Sequence, residues 1–233
     1  MRSIPTFFTL LLAAAPAVRA QETPTPVVVE LYTSQGCIAC PPADALFGEL
    51  ATLDGVIALA LHVDYWDYMG WKDKFGSPEH TARQKAYARA AGSRTLYTPQ
   101  MVVQGQEQLK GHDAQAILAD IARRKAEVAR ATVSAERKDV TLTIRMQPVA
   151  DPVGPAEVHV VSYIPSETVA IETGDNAGQE ITYANIVTNW RTVGRWDGEA
   201  AFEVTVDDAP AGPLAIVVQT VRMGPVLAAA VLP

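Results

Sequence analysis

The alternation of apolar and polar positions changes character once along the chain, near residue 131. Before it, strand-like and helix-like runs alternate. Val27-Val28-Val29-Glu30-Leu31-Tyr32-Thr33 is a β-branched run that suits a buried strand. Ser34-Gln35-Gly36 turns the chain, and Cys37-Ile38-Ala39-Cys40-Pro41-Pro42 leads into an amphipathic helix over Ala43–Ala51. Prolines suit that position because the first-turn N–H groups of a helix have no partner within it. A second buried strand at Val56–Val63 completes a strand–helix–strand unit, which predicts parallel strands and a right-handed crossover. An aromatic, charged loop follows from Asp64 to Trp71, then an Ala/Arg/Gln-rich helix from about Pro78 to Ala91. Gln100–Val103 and Glu107–Lys110 read as strands joined by a hairpin-like Gln104-Gly105-Gln106 turn. A long helix from Asp113 to about Arg130 closes this half.

After Ala131 the helical signals stop. Short β-rich runs appear at Thr132–Ala135, Val140–Arg145, Glu157–Ile164, Tyr183–Trp190, Ala201–Val206, Leu214–Val221 and Val226–Leu232, separated by Gly, Pro and Asp clusters. Such a series predicts an all-β, sandwich-like C-terminal domain. The expected organisation is a domain over 27–130 and a β-rich domain over 131–233, preceded by a Pro/Thr-rich leader at 21–26.

Residues 1–20 read as an export signal. Arg2 supplies the positive end, Phe7–Val18 is apolar except for Thr9 and Pro16, and Val18-Arg19-Ala20 places small residues at a cleavage site. The run is shorter than the roughly 20 residues that cross a bilayer. The mature chain is therefore expected to be periplasmic or secreted, with no membrane insertion after cleavage. The formal charge of the 233 residues is −7, from 19 basic and 26 acidic side chains. Removing residues 1–20 takes away Arg2 and Arg19 and no acid, which moves it to −9. An acidic chain without a basic cluster does not suit nucleic acid or anionic membrane surfaces.

The 2 cysteines stand in one Cys-x-x-Cys, Cys37 and Cys40. A disulfide here closes a tiny loop and contributes little as a staple. His62, His80, His112 and His159 are dispersed singly and show no metal-ligand spacing, so neither a structural metal nor a cofactor is expected. The dithiol sits just after a strand and at the start of a helix. There, unpaired N–H groups and the positive end of the helix dipole favour a thiolate. Cys37, the more exposed of such a pair, is the expected nucleophile, and Cys40, one turn inward, the resolving thiol.

Three stretches carry a resemblance. Glu30-Leu31-Tyr32-Thr33-Ser34-Gln35-Gly36-Cys37-Ile38-Ala39-Cys40 resembles the active-site segment of glutaredoxins. Thr98-Pro99-Gln100-Met101-Val102-Val103 is similar to the thioredoxin and glutaredoxin loop whose cis-proline faces the dithiol. Gly111-His112-Asp113 is similar to part of the glutaredoxin Gly-Gly-x-Asp region. The order β-α-β-α-β-β-α over 27–130 covers a whole thioredoxin-like (glutaredoxin-like) α/β core. The full chain, with Val-Asp-Tyr-Trp-Asp-Tyr and the β-rich tail, resembles a secreted bacterial thioredoxin-like family of unknown function. The resemblance implies that Pro99 is a cis-proline beside Cys37 and that the Thr98 backbone pairs with an extended substrate or glutathione. It also implies that Glu30 occupies the position of the buried acid beneath the dithiol. Glu30 then either relays the proton of Cys40 or is merely structural. Ile38-Ala39 departs from both families and offers no side-chain donor to a thiolate. No Lys or Arg flanks the dithiol to bind the carboxylates of glutathione.

His62 and Asp64 share a strand face near its carboxyl end, and serve either the site or the core. Tyr65, Trp66, Tyr68, Met69 and Trp71 either wall a substrate groove or pack onto the β-rich half, with Asn189-Trp190-Arg191 and Gly194–Gly198 as its other side. The expected function is an exported thiol–disulfide oxidoreductase acting on protein or small-thiol disulfides with an envelope redox partner. The alternatives are a Cu(I)-binding module using Cys37, Cys40 and Met101, and a non-enzymatic envelope binding protein.

Overall fold

A computed structural model describes residues 25–233. The export signal at 1–20 and most of the leader lie outside the described residues.

The first half follows the order expected from periodicity. It runs β1 (Val27–Thr33), α1 (Pro41–Leu50), β2 (Val56–His62), α2 (Pro78–Ala90), β3 (Gln100–Val103), β4 (Glu107–Lys110) and α3 (Ala114–Lys125). Strand β1 is buried along its whole length, lies parallel to β2 and antiparallel to β3, and β3 pairs with β4. Val27, Val29 and Leu31 face Phe47 and Leu50 of α1 and Ile117 and Ile121 of α3. Val28 and Tyr32 face Tyr87 of α2 on the other side. Successive residues of β1 therefore serve opposite faces, so the apolar run is continuous rather than alternating. The β3–β4 turn has Gln104 at φ 53 and Gly105 at φ 68, closed by a 3.0 Å bond from Gln106 N–H to Val103 O. Two positive φ angles match the twist of the strands, and glycine at the second avoids the Cβ clash.

The second half supplies seven strands: β5 (Ala131–Lys138), β6 (Thr141–Pro148), β7 (Ala156–Ala170), β8 (Glu180–Trp196), β9 (Phe202–Val206), β10 (Leu214–Thr220) and β11 (Val226–Leu232). They divide between two sheets. An eight-stranded sheet runs β11-β10-β7-β8-β2-β1-β3-β4, and a three-stranded sheet runs β5-β6-β9. A layered β arrangement is present, as a sandwich requires, but one layer is a continuation of the first half's sheet. The join is β2 to β8, parallel, with Ala60 opposite Ile186, and Asn185 Nδ2 donates to Ala58 O at 3.0 Å. Leu142, Ile144 and Met146 of β6 pack across the layers on Val158, Val160, Ile216 and Val218. Val161, Ala215 and Val217 point the other way, into the cluster around Tyr32 and Tyr87. Strands buried on both faces need cover on both. The small sheet supplies one cover and α2 contributes to the other.

Strands β7 and β8 are also longer than their apolar runs suggested. Their ladder continues through Ser166–Ala170 against Glu180–Ala184 as a two-stranded arm. The arm's tip, residues 171–179, returns to the end of β1.

Candidate functional site

Cys37 and Cys40 form a disulfide, with Cα atoms 5.4 Å apart. The turn before it is closed by Cys37 N–H to Ser34 O at 3.1 Å. Cys40 is the N-cap of α1 with helical φ and ψ, and Pro41 and Pro42 open the helix. Its carbonyl accepts from Ala43 and Asp44 N–H at 2.8 and 3.0 Å. The sulfur pair thus lies at the positive end of α1, where a developing thiolate is favoured.

Exposure differs from the sequence expectation. Cys37 is 1 % exposed and Cys40 0 %, while Ile38 between them is 62 % exposed. The cover comes from the β7–β8 arm. Asn176, itself buried, donates through Nδ2 to Gln35 O at 2.9 Å and Cys37 O at 3.1 Å. Gln179 Nε2 holds the Asn176 Oδ1 at 3.1 Å. Thr173 Oγ1 donates to Gly70 O at 2.6 Å, and Lys74 pairs with Glu167 on the arm. Gly174, at φ +79, sits where an added Cβ would be 3.1 Å from the Trp71 Cβ.

The Thr98–Pro99 peptide bond is cis. Gln100 pairs with Tyr32, so Pro99 lies at the β1 end from which the cysteine turn departs. Trp66 ties the two segments together. Its Nε1 donates to Thr98 Oγ1 at 2.8 Å, and Gly36 lies so close that an added Cβ would be 3.2 Å from the Trp66 Cβ. Gly111 packs under Pro99 with still less room, an added Cβ falling 2.7 Å from the Pro99 Cβ. Tyr65 donates to Gln84 Oε1 at 3.2 Å, and burial pushes its hydroxyl up to about 12. Tyr65 and Trp66 pack with Tyr163 and Trp190 of the β-rich half, while Trp71 and Phe75 pack on Val169, Tyr183 and Ile186. The aromatic loop is therefore chiefly a packing element. Trp190 shares it, whereas Trp196 lies in the core between the sheets.

Glu30 is not brought together with the dithiol. It lies on the α2 face of β1, with Val28 and Tyr32, whereas α1 covers the face of Leu31. Arg83 grips it with bonds of 2.7 and 2.8 Å, and Tyr32 and Tyr87 donate to it at 2.9 and 2.7 Å. Burial alone would raise its carboxyl, but the charge and hydrogen bonds of Arg83 outweigh that and hold it below the usual range. A carboxylate locked in an ion pair is a poor proton carrier. Asp64 is bound by the Thr81 hydroxyl at 2.6 Å, beside the start of α2. Met101 lies in the apolar cluster of α1 and α3, with Phe47 and Ile117.

The acid in the first turn of the dithiol's own helix is Asp44. It stands four residues after Cys40, and i,i+4 positions on a helix place Cβ atoms about 5–6 Å apart on one face. Asp44 is buried and accepts from Thr33 Oγ1 at 2.7 Å. Burial is the chief cause that pushes its carboxyl up to about 7. His62 and Thr33 oppose that push, and Asp73 adds to it. Thr33 pairs with His62 across β1 and β2. The His62 Nδ1 is 2.7 Å from Asp73 Oδ2, and its ring meets those of Phe75 and Tyr183 edge-on at 5.2 and 4.8 Å. Asp73 also accepts from Gln35 N–H at 2.8 Å and Phe75 N–H at 2.9 Å. Burial would raise Asp73, but His62 and these backbone donors hold it below its ordinary value. Sequence reading missed Asp44, Asp73 and Asn176. Only Asp44 carried a signal, an acid one turn beyond the second cysteine on the buried side of a helix.

A family model described as a protein of unknown function, DUF1223, matches residues 28–219, which include all of these residues. The chain belongs to the DUF1223 family. It is similar to the crystal structure of protein AGR_C_4864 from Agrobacterium tumefaciens. That match has 32 % identity and a TM-score of 0.75, over 88 % of this chain and 93 % of that one. It is also similar in fold to HBP35 of Porphyromonas gingivalis, at 16 % identity and a TM-score of 0.61, over 89 % of this chain and 74 % of that one. No curated protein matches the chain. The matched span covers both the dithiol turn of this chain and the arm that covers it.

Proposed function

We propose that this DUF1223 protein is a thiol–disulfide oxidoreductase built on a thioredoxin-like core and working outside the cytoplasm. The observation that carries the reading is the Cys37–Cys40 disulfide at the start of α1, where β1 ends. The cis Thr98–Pro99 bond at the same sheet end supports it. Cys37 is the sulfur attacked by an incoming thiolate, and Cys40 is the leaving and resolving thiol. Pro99 and Thr98, with Trp66 bound to the Thr98 hydroxyl, form the wall against which a substrate disulfide rests. The substrates are disulfides of proteins or small thiols, and a second envelope redox protein renews the working state. Copper binding through Met101 is not favoured, because that thioether is packed in the core beneath α1.

The test is a trap. Cys40→Ser in the full chain should accumulate mixed disulfides through Cys37 when expressed in an oxidising compartment, and Cys37→Ser should not. The wild type should reduce model disulfides or oxidise model dithiols. A silent trap together with no exchange activity would sink the proposal.

A further inference from the structure

Four buried side-chain atoms around the dithiol turn find no hydrogen-bond partner among the described residues: Gln35 Nε2, Asp44 Oδ2, His62 Nε2 and Tyr183 OH. Leaving one such atom unpaired costs about 1–3 kcal/mol, so a group of them calls for a reason. Their residues are mutually tied. Thr33 bonds Asp44 and pairs with His62, His62 bonds Asp73, Asp73 holds the Gln35 backbone, and Tyr183 meets the His62 ring edge-on. Asp44 adds the link to Cys40 through the helix, and Asn176 closes the group off from above.

We infer that Asp44 and the His62–Asp73 pair act as one proton-handling unit for Cys40, with Asp44 exchanging the proton and His62 setting its charge. This rests on the exchange chemistry proposed above. In the reducing direction, a thiolate of an incoming dithiol attacks Cys37 Sγ and the Cys37–Cys40 bond breaks. Cys40 Sγ leaves with the electron pair and takes the proton held by Asp44. The donor's second thiol loses its proton to solvent and attacks the mixed disulfide, releasing Cys37 as thiolate. Two electrons have then moved from the dithiol to the disulfide. In the oxidising direction the Asp44 carboxylate takes the proton of Cys40, whose thiolate attacks Cys37 Sγ and expels the substrate sulfur.

Geometry assigns the division of labour. The His62 Nδ1 faces the Asp73 carboxylate and carries a proton toward it. The groups facing Asp44 are Thr33 from β1, His62 from β2, Asp73 from the loop after β2, and Tyr183 from β8. His80 of α2 lies behind, bound through Nδ1 to His62 O at 2.9 Å. Glu30 and Arg83 are on the opposite sheet face. A charge on His62 favours ionised Asp44, and Asp73 opposes it. His62 is thus a positioning residue acting through Asp44.

The test reads the Asp44 carboxyl directly, by its carbon NMR shift across pH in the oxidised and dithiothreitol-reduced full chain. Its midpoint should lie near neutrality when oxidised and move upward on reduction, because the Cys37 thiolate released at the same helix start disfavours a second negative charge. Asp44→Asn should slow reclosure of the reduced dithiol by a small disulfide about 100-fold at pH 7, near the low end of general acid–base effects. It should also remove the associated inflection from the rate profile. His62→Gln should move the inflection to higher pH without erasing it. An Asp44 midpoint identical in both redox states, or an Asp44→Asn profile that overlays the wild type, overturns the inference while leaving the exchange activity standing. A wild type that exchanges with no thiol or disulfide reagent overturns both.

Discussion

Asp44 and Glu30 are buried carboxylates with opposite environments, and they pull stability in opposite directions with pH. Among the described residues Asp44 has one hydroxyl donor and no paired cation, so burial moves it from an ordinary 3.8 to about 7. The folded state therefore holds the Asp44 proton more tightly than the unfolded chain does. Stability falls as pH rises from about 4 through 7, by on the order of 4 kcal/mol as an upper bound. Asp44→Asn keeps the Thr33 bond and removes that penalty. Its urea midpoint should rise at pH 8 and stay unchanged at pH 4. Glu30 runs the other way. Its carboxyl is held below the usual 4.5, so its contribution is present above that value and is lost as pH falls through the folded one. Glu30→Gln leaves the Arg83 guanidinium buried against Trp190, 3.7 Å from the ring, without its counter-charge. The cost should be about 3–5 kcal/mol in denaturant unfolding at pH 7. The rate at which the disulfide is reduced, corrected for unfolding, should not follow it.

At the level of elements, the arm tip and the cysteine turn are joined by few bonds, and those bonds set access to the sulfurs. Asn176 contributes two neutral hydrogen bonds, each worth about 0.5–1.5 kcal/mol net. Asn176→Ala should speed reduction of the disulfide by dithiothreitol by about tenfold, and more for a protein dithiol, which needs the tip moved further. Stopped-flow reduction rates measure this, and equal rates for mutant and wild type would remove the arm's role as a cover. The dithiol was legible because Cys-x-x-Cys between a strand and a helix is a local pattern, and so was the Pro99 loop. The arm was not. Its ladder past Ile164 is polar and exposed in alternation, with Ser166, Glu167 and Thr168 opposite Ala184, Tyr183 and Thr182. Nothing in such a ribbon says where its tip lands, because Asn176 reaches Cys37 across 139 residues of sequence. Asp73 was hidden for the same reason. It lies in a loop of no regular period, and its meaning comes from Gln35 and His62 arriving from elsewhere.

Across the whole molecule, the change of pattern at residue 131 marks a change of element type within a continuous sheet. β10 was the warning. Leu214-Ala215-Ile216-Val217-Val218 is buried at every position, which an outer sandwich layer with one wet face does not require. The consequence is that the α2 face of the first half's sheet has no closed core of its own, whereas the α1–α3 face does. Leu59, Leu61, Val63 and Tyr87 are covered by Val161, Val187, Ala215, Val217 and Ala229, all from beyond residue 131. Removing those strands would uncover β2 as a free edge and expose a contiguous apolar face. It would also strip the β8 arm from the dithiol. Residues 25–130 expressed alone should therefore aggregate, or stay soluble only as a dye-binding state without a cooperative thermal transition, and their cysteines should react freely with alkylating reagents after reduction. A fragment that unfolds cooperatively, with its dithiol as protected as in the full chain, would show instead that the two halves fold as independent units.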